Sequence, residues 1–176
     1  MKSMRALVVL ILFCGLAPAL RAQAPEWKEY RSESGRFVIE FPGTPTAQEQ
    51  EDKDTGLMFH QFVVSGGGRL FFVLYTDYPE AEVAEKGADR MMDADRDNFV
   101  SGVKGKIDEE KRVACGEYPG RRLIITTEEG RWYALRICFA SPRMYMILAG
   151  SRDGPMAEDG ARFLNAFKIL PKRDSD

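Results

Sequence analysis

The chain has 176 residues, 44% hydrophobic and 30% charged, with 25 Lys+Arg against 27 Asp+Glu. That balance excludes a disordered tail, a collagen-like rod and a multi-span membrane protein, and the length suits one domain. A formal net charge of −2 gives no electrostatic footprint for nucleic acid.

At the amino terminus, Lys2 and Arg5 precede an apolar run from Ala6 to Leu20, and the small residues Ala22 and Ala24 follow it. The pattern predicts a secretory signal peptide over residues 1–22, cut after Ala22 because a cut after Ala24 would leave Pro25 at the new terminus. The run is shorter than the ~20 apolar residues a helix needs to cross a bilayer, and no membrane partner is expected after cleavage. Residues 23–176 are then expected as a single exported domain, periplasmic or extracellular. Losing Lys2, Arg5 and Arg21 removes three of the 25 basic residues, so 27 acids outweigh the rest by five.

Arg36 to Phe41 alternates Phe37, Ile39 and Phe41 against Val38 and Glu40 and stops at Pro42-Gly43-Thr44-Pro45, which predicts a strand and a turn. Thr46 to Asp52 reads as a polar edge strand. Leu57–Ser65 and Arg69–Asp77, around Gly66-Gly67-Gly68, predict a hairpin. From Pro79 to about Gly102, Ala84, Ala88, Met91, Met92, Phe99 and Val103 recur at helical spacing, giving one helix or two broken near Gly87. Strands are predicted again at Gly105–Cys115, Arg121–Thr127, Arg131–Ala140 and Arg143–Gly150. A helix over Pro155–Phe167 and a short strand at Lys168–Leu170 complete the chain. Short links force antiparallel pairing. Leu70, Phe72 and Leu74 on one parity and Phe71, Val73 and Tyr75 on the other both need cover. The expected fold class is therefore α+β, an antiparallel β-sheet flanked by helices.

Cys115 and Cys138 remain after the leader. With turns at Glu117–Gly120 and Glu128–Gly130 they stand on strands separated by a third, about 9.6 Å apart at ~4.8 Å per strand. A disulfide spans no more than ~6.8 Å between Cα atoms. The spacing favours two free, buried thiols, with a disulfide as the alternative that an oxidising compartment permits.

Four phrases carry a family resemblance: Phe37-Val38-Ile39-Glu40-Phe41-Pro42-Gly43-Thr44-Pro45, Gly116-Glu117-Tyr118-Pro119-Gly120-Arg121-Arg122-Leu123, Arg143-Met144-Tyr145 and Phe163-Leu164-Asn165-Ala166-Phe167-Lys168. They resemble landmarks of uncharacterised exported bacterial proteins similar to the PsbP-like fold. The resemblance implies an antiparallel sheet between helices. Proteins of that fold include an extrinsic photosystem subunit and a nuclear import factor, so no activity and no functional residue is carried over.

Four residues are candidates for a ligand site. His60 is the lone histidine, able to act as a general base but unable to form a multi-histidine metal site. Asp95 falls at the centre of the helical apolar stripe, where a carboxylate must be paired, hydrated or protonated, and Arg121, Arg122 or Arg136 could pair it. Trp132 and Tyr145 could line a groove or simply fill a core. Asp93-Ala94-Asp95-Arg96-Asp97-Asn98 lacks the sixth-position Gly and twelfth-position Glu of a calcium loop, and no metal or other cofactor is expected. Lys111-Arg112 and Arg121-Arg122 read as salt-bridged strand surface beside Glu109, Glu110 and Glu117.

No acid, base and nucleophile converge in the sequence. The leading expectation is an exported non-catalytic binding or interaction module, its partner a protein or small ligand of the cell envelope. A hydrolase-type enzyme using His60 and a carboxylate, and an envelope structural or assembly factor, are the alternatives.

Overall fold

A computed structural model describes residues 26–172; the expected leader, residues 1–22, lies outside them. Strands β1 (Lys28–Ser32), β2 (Phe37–Phe41), β3 (Thr46–Glu51), β4 (Met58–Gly66) and β5 (Arg69–Asp77) lead into helix α1 (Glu80–Gly102). Strands β6 (Gly105–Cys115), β7 (Tyr118–Thr127), β8 (Trp132–Ala140) and β9 (Arg143–Ser151) lead into α2 (Ala157–Ala166) and β10 (Lys168–Ile169). All pairings are antiparallel. They build a seven-stranded sheet in the order β3-β4-β5-β9-β8-β7-β6 and a three-stranded sheet in the order β1-β2-β10.

This corrects the expected α+β class, one antiparallel sheet flanked by helices. Strand accounts for 51% and helix for 22%, in two antiparallel sheets, so the fold is β-rich. The reason is the width to be covered. Seven strands at ~4.8 Å spacing measure about 29 Å across, whereas the 10 residues of α2 make a helix only ~15 Å long. Phe37, Ile39 and Phe41 of β2 therefore join Phe163, Leu164 and Phe167 in covering that face. The partner strand β1 was hidden because Lys28-Glu29-Tyr30-Arg31-Ser32 has no apolar alternation. Its strand character comes from pairing, Lys28 opposite Phe41 through Ser32 opposite Phe37.

Each face of the large sheet has its own core. On the sandwich face Phe62, Phe71, Val73, Tyr75, Tyr145 and Ile147 pack against β2 and α2. On the helix face Leu123, Ile125, Leu135, Ile137 and Met144 pack against Met91 and Met92 of α1. The opposed parities of β5 are thus both used. Gly87, at φ 76° and ψ 161°, breaks α1, a conformation that only glycine adopts without strain. The phase shifts there, so Val83 packs on the core in place of the expected Ala84, which is exposed.

The expectation of free thiols is also corrected: Cys115 and Cys138 form a disulfide, with Cα atoms 5.9 Å apart. The β6–β7 turn is at Gly116-Glu117, and Pro119 and Gly120 already belong to β7. Gly120 pairs with both Val113 and Cys138, so it is the residue the disulfide must pass. A Cβ there would come within 2.7 Å of Cys115 Sγ and 2.6 Å of the Ile137 carbonyl. The estimate of about 9.6 Å assumed a flat sheet. The hairpin end instead bends over a position with no side chain.

Candidate functional site

His60 lies on β4 directly opposite Tyr75 of β5, and the two rings stack at 4.4 Å with a 12° interplanar angle. The Arg143 guanidinium also contacts the Tyr75 ring, 4.4 Å from its centre. Arg143 grips Asp77 through two bonds of 2.6 Å and donates to the Ser34 carbonyl at 2.6 Å. Its hydrogen bond holds the Asp77 carboxyl below the usual carboxylate range. These contacts tie β9, β5 and the β1–β2 turn together beneath the imidazole.

The imidazole Nδ1 lies 3.1 Å from Glu49 Oε1. Glu49 comes from the edge strand β3, in register with His60, and its side chain is 68% exposed against 27% for His60. The pair borders a shallow cleft of about 390 Å3 lined also by Tyr30, Ser32, Ser34 and Tyr75. The Ser32 hydroxyl accepts the Gly35 N–H at 3.0 Å, and Ser34 Oγ stands 3.5 Å from the Tyr75 hydroxyl. Among the described residues no hydroxyl or thiol is hydrogen-bonded to the imidazole. Glu49 was not singled out in the sequence, since only the β3–β4 register brings it to His60.

Asp95 meets a tyrosine rather than an arginine. The Tyr78 hydroxyl donates to Asp95 Oδ1 at 2.7 Å. Burial raises the Asp95 carboxyl above its usual range against the lowering effect of that hydrogen bond, and the charge of Glu82 raises it further. Tyr78 is pushed far up by burial and then by Asp95. The pair belongs to the α1 side of the sheet, where Tyr78 packs with Met91 and Met92. His60 belongs to the opposite side, where Tyr75 and Phe62 pack. The sheet therefore separates them.

Trp132 and Tyr145 are core residues, 6% and 0% exposed. The Trp132 ring packs over Gly160 of α2, so closely that a Cβ there would lie 2.9 Å from it. The Tyr145 hydroxyl donates to the Gly35 carbonyl at 2.8 Å. The structure does not bring the four candidates together.

The basic pairs of β6 and β7 are divided by strand alternation. Arg112 and Arg121 pair on the helix face, and Lys111 and Arg122 on the sandwich face. Arg121, 8% exposed, contacts Asp89 at 3.2 Å, Asp93 at 2.8 Å and Glu110 at 3.4 Å. Arg96 joins the same group through Asp93 and Glu110. On the other face Arg122 stands opposite Arg136 of β8. Arg136 donates to two backbone carbonyls, Leu164 at 3.0 Å and Ala114 at 2.7 Å. Burial and then Arg122 hold its guanidinium below the usual arginine range.

Beside this row a cleft of about 500 Å3 opens between β6–β7 and the start of α2. Its walls include Lys111, Val113, Arg122, Ile124, Trp132 and Pro155. The sequence signal for it was present in the residue types and in strand alternation, but the facing of Arg122 with Lys111 and Arg136 required the register. Among the described residues no group of three or more His, Cys, Asp or Glu could hold a metal ion, and no helix is long and apolar enough to cross a membrane.

No known family model and no curated protein matches the chain.

Proposed function

We propose that this chain is an exported, non-catalytic binding module, related in kind to the exported bacterial proteins its landmark phrases resemble. The observation that carries the reading is the separation of His60 from Asp95 by the large sheet, each with a hydrogen-bond partner of its own. General acid–base chemistry needs such groups at one reacting centre. The buried Cys115–Cys138 disulfide suits an oxidising compartment and so supports export. The partner is a small ligand or protein of the envelope. The test is turnover of chromogenic esters, phosphomonoesters and glycosides by the full chain beside its His60→Ala variant. Equal background rates are expected; turnover lost on substitution overturns the reading.

One observation favours hydrolysis as the second reading. The His60–Glu49 pair shares a cleft with the Ser34 hydroxyl, and an imidazole oriented by a carboxylate is one element of an activated nucleophile. That reading requires turnover lost in both His60→Ala and Ser34→Ala. Binding without turnover excludes it.

A further inference from the structure

Cations shielded from water are ordinarily neutralised in this molecule. Arg96, Arg121 and Arg143, with side chains 20%, 8% and 13% exposed, each contact at least one carboxylate. Arg122 and Arg136 differ. Both are half-buried and directly opposite one another on neighbouring strands, where like charges at ~5 Å between Cβ atoms repel. Among the described residues Arg136 binds only neutral carbonyls, and its Nε, like that of Arg121, is shielded from water without a hydrogen-bond partner. Arg122 has neither an ion pair nor a side-chain hydrogen bond among the described residues. The acid in the same cleft, Glu109, stands 3.4 Å from Lys111 Nζ, which offsets its charge.

The surroundings of this excess charge are apolar. Ile124 follows Arg122 on the same face of β7, ~7 Å along the strand, and Val113, Trp132, Pro155 and Ala157 line the rest of the cleft. Its volume of about 500 Å3 is in the range of small-molecule sites, which combine apolar walls with a few placed polar groups. Lys111 and Glu109 offset one another and Arg136 is committed to the backbone, so one guanidinium is left to bind. A guanidinium fork matches one carboxylate in a two-bond geometry.

We infer that the cleft between β6–β7 and the start of α2 binds an amphiphilic carboxylate, a small molecule with one carboxylate at Arg122 and an aliphatic or aromatic body against Ile124, Val113 and Trp132. This rests on the binding-module reading and names its ligand class. The repulsion between Arg122 and Arg136 is what the bound anion relieves, and the apolar walls exclude purely polar anions such as acetate.

The test is titration of the full chain with octanoate, hexanoate, octanol and octylammonium, read by calorimetry and by backbone amide shifts. Octanoate is expected to bind and to shift amides of β6 and β7. Hexanoate should bind several-fold more weakly, in line with a loss of up to ~0.8 kcal/mol for each buried methylene. Octanol and octylammonium should not compete. Arg122→Gln should weaken octanoate at least about tenfold, as loss of a charged hydrogen bond does. This variant removes a repulsion, so its fold is retained, and an unchanged thermal midpoint or a higher one verifies that. Octanoate bound equally by Arg122→Gln, no octanoate binding, or preference for octylammonium overturns the inference. Hydrolysis lost in His60→Ala would instead overturn the non-catalytic reading, and the shifts at β6 and β7 would still decide the cleft.

Discussion

The β6–β7 hairpin shows one pair of strands under two electrostatic regimes. On the helix face Arg121 and Arg112 meet Asp89, and Arg121 also meets Asp93 and Glu110, so every guanidinium faces a carboxylate. On the sandwich face Arg122 and Arg136 face one another. Residues adjacent in sequence are thus a fastening on one side and an uncompensated charge on the other. Charge composition says little about binding until the parity of the strand is known.

The largest expected effect comes from the fastened side. Arg121→Met removes the one buried cation that Asp89, Asp93 and Glu110 share, leaving Asp93 and Glu110 to Arg96 and Asp89 to the exposed Arg112. Loss of one partner from a buried ion pair costs 3–5 kcal/mol, but these carboxylates are 56%, 39% and 27% exposed, and water recovers part of the loss. The expected destabilisation is ~2–3 kcal/mol in urea unfolding. A loss below about 0.5 kcal/mol would show that the network is surface decoration and would erase the contrast between the faces.

Gly120→Ala acts on the open side and should cost somewhat less, ~1–3 kcal/mol as overpacking does. The new methyl would meet Cys115 Sγ and the Ile137 carbonyl at 2.7 and 2.6 Å. Backbone cannot move aside as a flexible side chain does, so disulfide formation itself should suffer. Thiol titration of the purified variant reads this directly: a fraction of free Cys115 and Cys138 is expected, and a fully oxidised variant of native stability refutes the bent-hairpin account.

How much of this was legible in the sequence differs by element. The placement of apolar residues located five strands, by alternation in β2 and by apolar runs bounded by glycine, proline or acidic turn residues in β4, β5, β8 and β9. It missed β1, whose residues are mostly polar and whose order comes from pairing with β2. Consequently the second sheet was invisible and its share of the cover was assigned to helices. At the site level, the burial of Asp95 followed from helical periodicity, but its Tyr78 partner lies outside the helix, ahead of Pro79. Glu49 at His60, and Arg122 at Arg136, depend on inter-strand register. A single sequence encodes register through turn length, and one turn displaced by a residue or two, as at Gly116-Glu117, changes every facing pair.

Asp95→Asn sharpens the comparison from a third position, an acid on the fastened side that meets no cation among the described residues. Its carboxyl titrates above the usual range in the folded chain. The folded state then holds the proton more tightly than the unfolded state, so stability falls as pH rises from the unfolded value near 3.9 through the folded one. The asparagine oxygen still accepts from Tyr78. The variant should therefore be more stable than the parent at pH 7 and nearly equal to it below pH ~4. Thermal midpoints at the two pH values decide it. A variant less stable at pH 7 would mean that the ionised carboxylate is compensated by a partner other than Tyr78.

The smallest effect belongs to Arg122→Gln without ligand, and it is the most pointed of the set because its sign opposes that of Arg121→Met one residue away. Removing Arg122 relieves Arg136, whose charged form is disfavoured by burial and then by Arg122. Both side chains keep some contact with water, which screens the repulsion to a few tenths of a kcal/mol. At ~2–4 °C per kcal/mol for a chain of this size, a rise of about 1 °C in the thermal midpoint is expected. Raising ionic strength should shrink the difference, since salt screens partly exposed charges. A drop comparable to that of Arg121→Met would mean that Arg122 holds the fold together, and a residue needed for that purpose would not be held in reserve for an anion.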